Sequence, residues 1–179
     1  MIRLFLLGIA LIFFFNSQSQ NNLFSNDDVI KIDIVANLRE IFRDVNPETA
    51  KYHSGLLTYI DINGNSVNLK IKIKTRGIFR RSKENCNIPP LTLKFSEAAL
   101  NQTVFDGIEK LKLVNVCNRK RPSFQQYLLK EYLAYKIYNI ITDYSFRVRL
   151  VKIVYIDINN AIPPFETVGF FIEDMESVN

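Results

Sequence analysis

The sequence predicts an α+β domain in which an antiparallel sheet carries one long packed helix, and three observations support that expectation. Val67, Leu69, Ile71 and Ile73 alternate with Lys70, Lys72 and Lys74, the period-two pattern of a strand with one packed and one cationic face. Two β-rich runs, 55–62 and 66–75, flank Asn63-Gly64, a dipeptide suited to a hairpin turn whose residues need positive φ. The stretch from Ser123 to Ile141 repeats its apolar residues at helical spacing, and strand-like runs lie on either side of it.

The remaining elements follow in chain order. Residues 20–28 read as an exposed leader, and residues 29–36 set Ile30, Ile32 and Ile34 against Lys31 and Asp33 as a half-buried strand. A short helical stretch from Asn37 to Asp44 precedes the hairpin. The donor-rich loop Arg76-Gly77-Ile78-Phe79-Arg80-Arg81 ends it, and Pro89-Pro90 leads into a strand from Leu91 to Phe95. After a loop from Ser96 to Gly107 comes a lysine-bearing strand, Glu109 to Val116. The long helix starts just after Pro122, where Ser123 and Gln126 have capping-box spacing, and its second apolar arc, Leu129, Leu133, Ile137 and Ile140, predicts cover on more than one side. Residues 146–158 form a strand whose inward set is either Phe146, Val148, Leu150 and Lys152 or Val151, Ile153 and Tyr155. Val168 to Glu173 closes the domain.

Composition bounds the compartment and the partners. Arg3 precedes an apolar run from Leu4 to Phe15, too short to span a bilayer, and Ser17 and Ser19 suit a cleavage at Gln20, so residues 1–19 read as a secretory signal. About 160 residues, 20–179, then remain outside the cytoplasm, with no further stretch long enough to cross a membrane. The two cysteines, Cys86 and Cys117, are expected to form a disulfide there, and a single histidine, His53, leaves zinc without a ligand set. The formal charge of +5 hides an asymmetry: Lys70, Lys72, Lys74, Arg76, Arg80, Arg81 and Lys83 form an acid-free run, Arg119-Lys120-Arg121 a second cluster, and Glu166, Glu173, Asp174 and Glu176 lie at the other end. Secretion argues against nucleic acid, so phosphate or an acidic protein fits the basic run better.

One residue stands out chemically. On a helical wheel Glu131 falls among Phe124, Tyr127, Leu128, Tyr135 and Tyr138, and an ionised carboxylate among aromatic rings needs a cation. Lys112, on the strand face shared with Val114 and Val116, is the first choice; Arg147 and Arg149 on the next strand are alternatives. Such a pair is either a salt bridge that fixes helix to sheet or part of a ligand site. No catalytic triad and no glycine-rich phosphate motif is present.

The succession Lys-Ile-Lys-Thr-Arg-Gly at 72–77, Leu-Lys-Leu-Val at 111–114, Glu-Tyr-Leu-Ala-Tyr-Lys-Ile-Tyr at 131–138, Phe-Arg-Val-Arg-Leu-Val at 146–151 and Gly-Phe-Phe-Ile-Glu at 169–173 resembles the CotH-like spore-coat protein kinase family. The resemblance implies the amino-terminal lobe of an atypical kinase, using ATP with Mg or another divalent metal to phosphorylate secreted or surface proteins. By it, Arg76 and Gly77 would lie over the phosphates, Lys112 would contact them, Glu131 would orient Lys112, and Phe171 to Glu173 would form the hinge that meets adenine. The kinase layout places its catalytic and metal-binding aspartates after the hinge, so the expectation is a nucleotide-binding lobe, inactive alone, with no catalytic or metal residue assigned in this chain. The alternative is a secreted, non-catalytic α+β module that binds through its cationic face.

Overall fold

Alternation along the strands closes a ring here. The structure is a computed structural model that describes residues 23–96 and 100–174, so the expected signal at 1–19 and the acidic Glu176 lie outside the described residues. Among the described residues there are seven strands: β1 (Ile30–Ala36), β2 (His53–Ile60), β3 (Ser66–Thr75), β4 (Leu91–Phe95), β5 (Lys110–Asn115), β6 (Val148–Asp157) and β7 (Phe165–Ile172). They form a closed barrel in the order β1-β2-β3-β4-β5-β7-β6. All neighbours are antiparallel except β1 and β6, which pair in parallel from Ile30↔Val151 to Ala36↔Asp157. The expected open antiparallel sheet is thereby corrected, since β1 uses both of its edges and leaves no strand end of the sheet unpaired.

Closure works because every wall strand sends an apolar set inward. Ile32, Ile34, Leu57, Leu69, Ile73 and Leu93 share the interior with Leu113, Val151, Ile153, Tyr155 and Phe171. Tyr155 is fully buried, and its hydroxyl donates to Asn115 Oδ1 at 2.7 Å, while Asn115 Nδ2 donates to the Pro89 carbonyl at 2.8 Å. Burial pushes the Tyr155 hydroxyl far above its usual range, so it stays a neutral donor. Gly169 on β7 leaves no room for a side chain: a Cβ there would lie 2.7 Å from the Val114 carbonyl oxygen on β5.

Both candidate faces of the 146–158 strand prove to be covered. Val151, Ile153 and Tyr155 fill the barrel, whereas Val148 and Leu150 point outward beneath the long helix α2 (Pro122–Ile141). A second core forms there from Val114, Val116, Leu128, Tyr132, Phe170 and Ile172 on the outer wall of β5, β7 and β6. The helix begins at Pro122 without a side-chain cap, so the Ser123–Gln126 box does not form. Of its second apolar arc only Leu129 packs on this core; Leu133, Ile137 and Ile140 are all more than half exposed. No helix among the described residues is long and apolar enough to cross a membrane.

Turns also differ in mechanism from the expectation. Between β2 and β3 only Gly64 has positive φ, and the Asp61 carboxylate organises the loop by accepting from the Asn63 and Asn65 N–H groups at 2.9 and 2.8 Å. The short helix α1 (Leu38–Ile41) is anchored from β6: Asp157 accepts from the Leu38 and Ala161 N–H groups, each at 2.7 Å. Burial acts to raise the Asp157 carboxyl, but the backbone N–H groups of Ala161, Arg39, Leu38 and Ile162 outweigh it and hold it below the usual carboxylate range. Asp157→Ala should therefore cost about 3 kcal/mol at neutral pH, by loss of charge-assisted bonds and exposure of unpaired donors. A depressed carboxyl contributes above the unfolded-state value near 3.9 and loses that contribution as pH falls through the folded-state value. Urea titrations should accordingly show the gap between wild type and variant shrinking below about pH 4.

Candidate functional site

The outer wall of β3, β4 and β5 is a lysine surface. Inward Leu69, Ile71, Ile73, Leu91, Leu93, Leu111 and Leu113 force their neighbours outward, and the strand register aligns those neighbours in rows. Lys72, Lys94 and Lys110 form one row; Lys74, Thr92 and Lys112 form the next. Lys94 meets Glu109 at 3.0 Å, and Lys110 and Lys112 meet Asp174 at 3.4 and 3.1 Å. The β3 lysines have no acidic partner among the described residues: Lys72 donates to Ser54 Oγ at 3.0 Å and Lys74 lies 5.7 Å from the Tyr52 ring centre.

Beside this wall, the loop after β3 faces α2 across a charged cleft. Gly77, at φ +82°, turns the chain into a 3-10 turn at Phe79–Arg81. That turn delivers Arg80 to Glu131, so the helix carboxylate finds its cation in the loop and not on the lysine strand. Both side chains are about one-third exposed, 36 and 32%, which places the pair in the range of weak surface bridges. Arg76 is half-buried nearby; burial lowers its guanidinium from the usual range, against the opposing fields of Tyr135, Glu131 and Asp174. Lys112 stands over the Phe146 ring at 5.1 Å in addition to its Asp174 bond.

Of the sequence-selected residues, Arg76 and Glu131 share this cleft, and Lys112 lies at its edge bonded elsewhere. Phe171 and Glu173 direct their side chains to other contacts. Phe171 is fully buried inside the barrel, paired with Leu113 on one side and Arg149 on the other. Glu173 is 3% exposed and receives the Arg147 Nε at 3.1 and 3.0 Å on its two oxygens, a bond that raises the Arg147 guanidinium. Cys86 and Cys117 form the expected disulfide. Arg80 and Asp174, the partners actually used, carried no distinguishing signal beyond membership of a basic run and an acidic end.

His53 Nε2 lies 2.8 Å from Asp44 and Nδ1 3.4 Å from Glu40, at a surface cavity of about 560 Å³. Burial works to raise Asp44, but the Lys51 N–H, His53 and the Lys51 charge bring it below its usual value. These contacts hold the β1–β2 connection together. At the carboxyl-terminal half of α2, Glu131, Ala134, Tyr135, Tyr138, Tyr144 and Phe146 line a cleft of about 410 Å³ that is mostly aromatic.

Comparisons with known proteins add no relative. No protein-family model, curated protein or solved structure matches this chain. The CotH-like kinase resemblance is corrected by the architecture: the lobe it implies is built on an open sheet, and here the sheet closes through the β1–β6 pairing. The nucleotide-binding role and the ATP-with-metal cofactor go with it. Phe171 lies within the barrel wall, paired on both sides, where a hinge would present free backbone to adenine. Among the described residues no group of three or more His, Cys, Asp or Glu side chains is arranged to hold a metal.

Proposed function

We propose that this chain is a non-catalytic binding module whose lysine wall docks an acidic protein segment outside the cytoplasm. The observation that carries the reading is the outward set Lys70, Lys72 and Lys74 on β3, which lacks acidic partners among the described residues, beside Lys94 and Lys110, which Glu109 and Asp174 already meet. Like charges directly opposite one another destabilise a sheet; Glu109 offsets part of the Lys72–Lys94 repulsion, and an anionic partner on Lys72 offsets more of it. Alternate side chains along a strand lie roughly 6.7 Å apart, and neighbouring strands about 4.8 Å, so an extended chain with carboxylates on alternate residues matches the grid. A closed barrel offers no edge for strand addition, so recognition runs through side chains. The signal-like segment at 1–19 and the Cys86–Cys117 disulfide support an oxidising, extracytoplasmic setting.

Fluorescence anisotropy with fluorescein-labelled octaglutamate tests the reading. Wild type should bind with an affinity that falls steeply as salt rises, and the triple substitution Lys70→Glu, Lys72→Glu and Lys74→Glu should weaken binding roughly 30-fold at low salt with an unchanged melting temperature. Binding that ignores both salt and the substitutions would remove the lysine wall from consideration. Preference for a single-stranded oligonucleotide over octaglutamate would assign the wall to nucleic acid instead.

A further inference from the structure

The lysine wall ends on an aromatic cleft, and the join between them specifies the partner more closely. We infer that the acidic segment carries an aromatic residue whose side chain inserts between the carboxyl-terminal half of α2 and the segment leading into β6. This inference rests on the proposed docking of an acidic segment.

Continuity is the first ground. Lys112 belongs to the row Lys74–Thr92–Lys112, and its ammonium lies 5.1 Å from the centre of the Phe146 ring, which is a wall of the cleft. A chain following that row therefore ends beside Phe146, one of the residues lining the cleft. The second ground is the cleft itself. Its volume of about 410 Å³ is at the small end of ligand pockets and suits a single ring. Tyr138 and Tyr144 stand 57 and 88% exposed around it, so large aromatic surface stays in water when the cleft is empty of a partner side chain. A ring entering there meets Tyr135 and Phe146 in edge or offset contact, the arrangement aromatic pairs prefer. The third ground is charge. Arg76 is half-buried beside Tyr135 and Glu131, and its guanidinium makes no hydrogen bond or ion pair among the described residues, so a carboxylate flanking the inserted ring finds a donor waiting. Arg80 and Lys112 are engaged by Glu131 and Asp174, so of these three cations Arg76 is the one left to meet that carboxylate. A buried aromatic anchor with charged residues around it is how short segments concentrate their binding energy.

The experiment compares octaglutamate with two peptides that carry a single added phenylalanine, one at each end, by anisotropy on wild type and Ala134→Trp. Ala134 is exposed on the helix and lines the cleft, so tryptophan fills the space from the solvent side. One phenylalanine peptide should bind wild type at least about tenfold tighter than octaglutamate, and Ala134→Trp should abolish that gain while octaglutamate affinity stays the same. Absence of any gain, survival of the gain in Ala134→Trp, or equal loss of octaglutamate binding would each overturn the inference. The two readings separate cleanly. If octaglutamate binds without an aromatic gain, the lysine wall stands and the anchor falls; if only the phenylalanine peptide binds, and sensitively to Ala134→Trp, the anchor stands and the wall falls.

Discussion

Phe171→Ala should destabilise the protein by about 3–5 kcal/mol, the range for deleting a fully buried aromatic side chain. The ring is inaccessible to solvent and meets Phe105 edge-on at 6.0 Å between centroids. Phe105 in turn stacks on Phe95 at 5.1 Å and touches Tyr59 at 5.5 Å, so the vacated space opens onto a rigid aromatic cluster that cannot collapse into it. The urea midpoint should fall with little change in slope, and the melting temperature should drop by roughly 10 °C. A residue that served as a hinge beside a ligand would behave otherwise, with a loss below about 1 kcal/mol because little packing would be removed. The measured stability loss thus discriminates between a wall position and an edge position for this side chain.

Cys86→Ser with Cys117→Ser should cost about 3–4 kcal/mol, since the bridge spans 31 residues and restricts the unfolded chain accordingly. It ties the loop that follows the 3-10 turn to the end of β5, where the Asn87 and Ile88 N–H groups donate to the Cys117 carbonyl at 2.9 and 3.3 Å. Those backbone bonds keep the local geometry once the sulfurs are removed, so the barrel should still form and the loss should appear as lower stability. Reductant should lower the urea midpoint of wild type to that of the double variant and leave the variant unmoved. Because Arg80 lies in the same loop, the Arg80–Glu131 pair should loosen in parallel.

Local structure was legible because period decides it. Leu69, Ile71 and Ile73 against Lys70, Lys72 and Lys74 give β3 its bounds of Ser66–Thr75, and the helix occupies Pro122–Ile141 with Leu128 and Tyr132 on its buried side. Closure was not legible, since alternation is the same on one face of an open sheet and in the wall of a barrel. The decisive contact, β1 with β6, joins positions as far apart as Ile30 and Val151, and nothing local in either strand specifies its partner. The two apolar faces of β6 did hold a clue: an open sheet with one helix needs only one of them, while a barrel with a helix on its outside needs both. Within the cleft, the need of Glu131 for a cation was readable and the identity of that cation was not, because the path of the Arg76–Arg81 loop depends on Gly77 and the turn after it. Short runs such as Leu-Lys-Leu-Val suggested a kinase lobe, yet any half-buried barrel strand with a solvated lysine reads the same way.

The parallel seam between β1 and β6 also constrains how the molecule comes into being. The first strand among the described residues, β1, has its final neighbour more than a hundred residues away, at Val148–Asp157, so the ring is incomplete until synthesis has passed that point. Before then β1 presents Ile30, Ile32 and Ile34 along an unpaired edge, a template for strays of other chains. A protein built this way gains from being kept apart from other chains until β6 has been delivered.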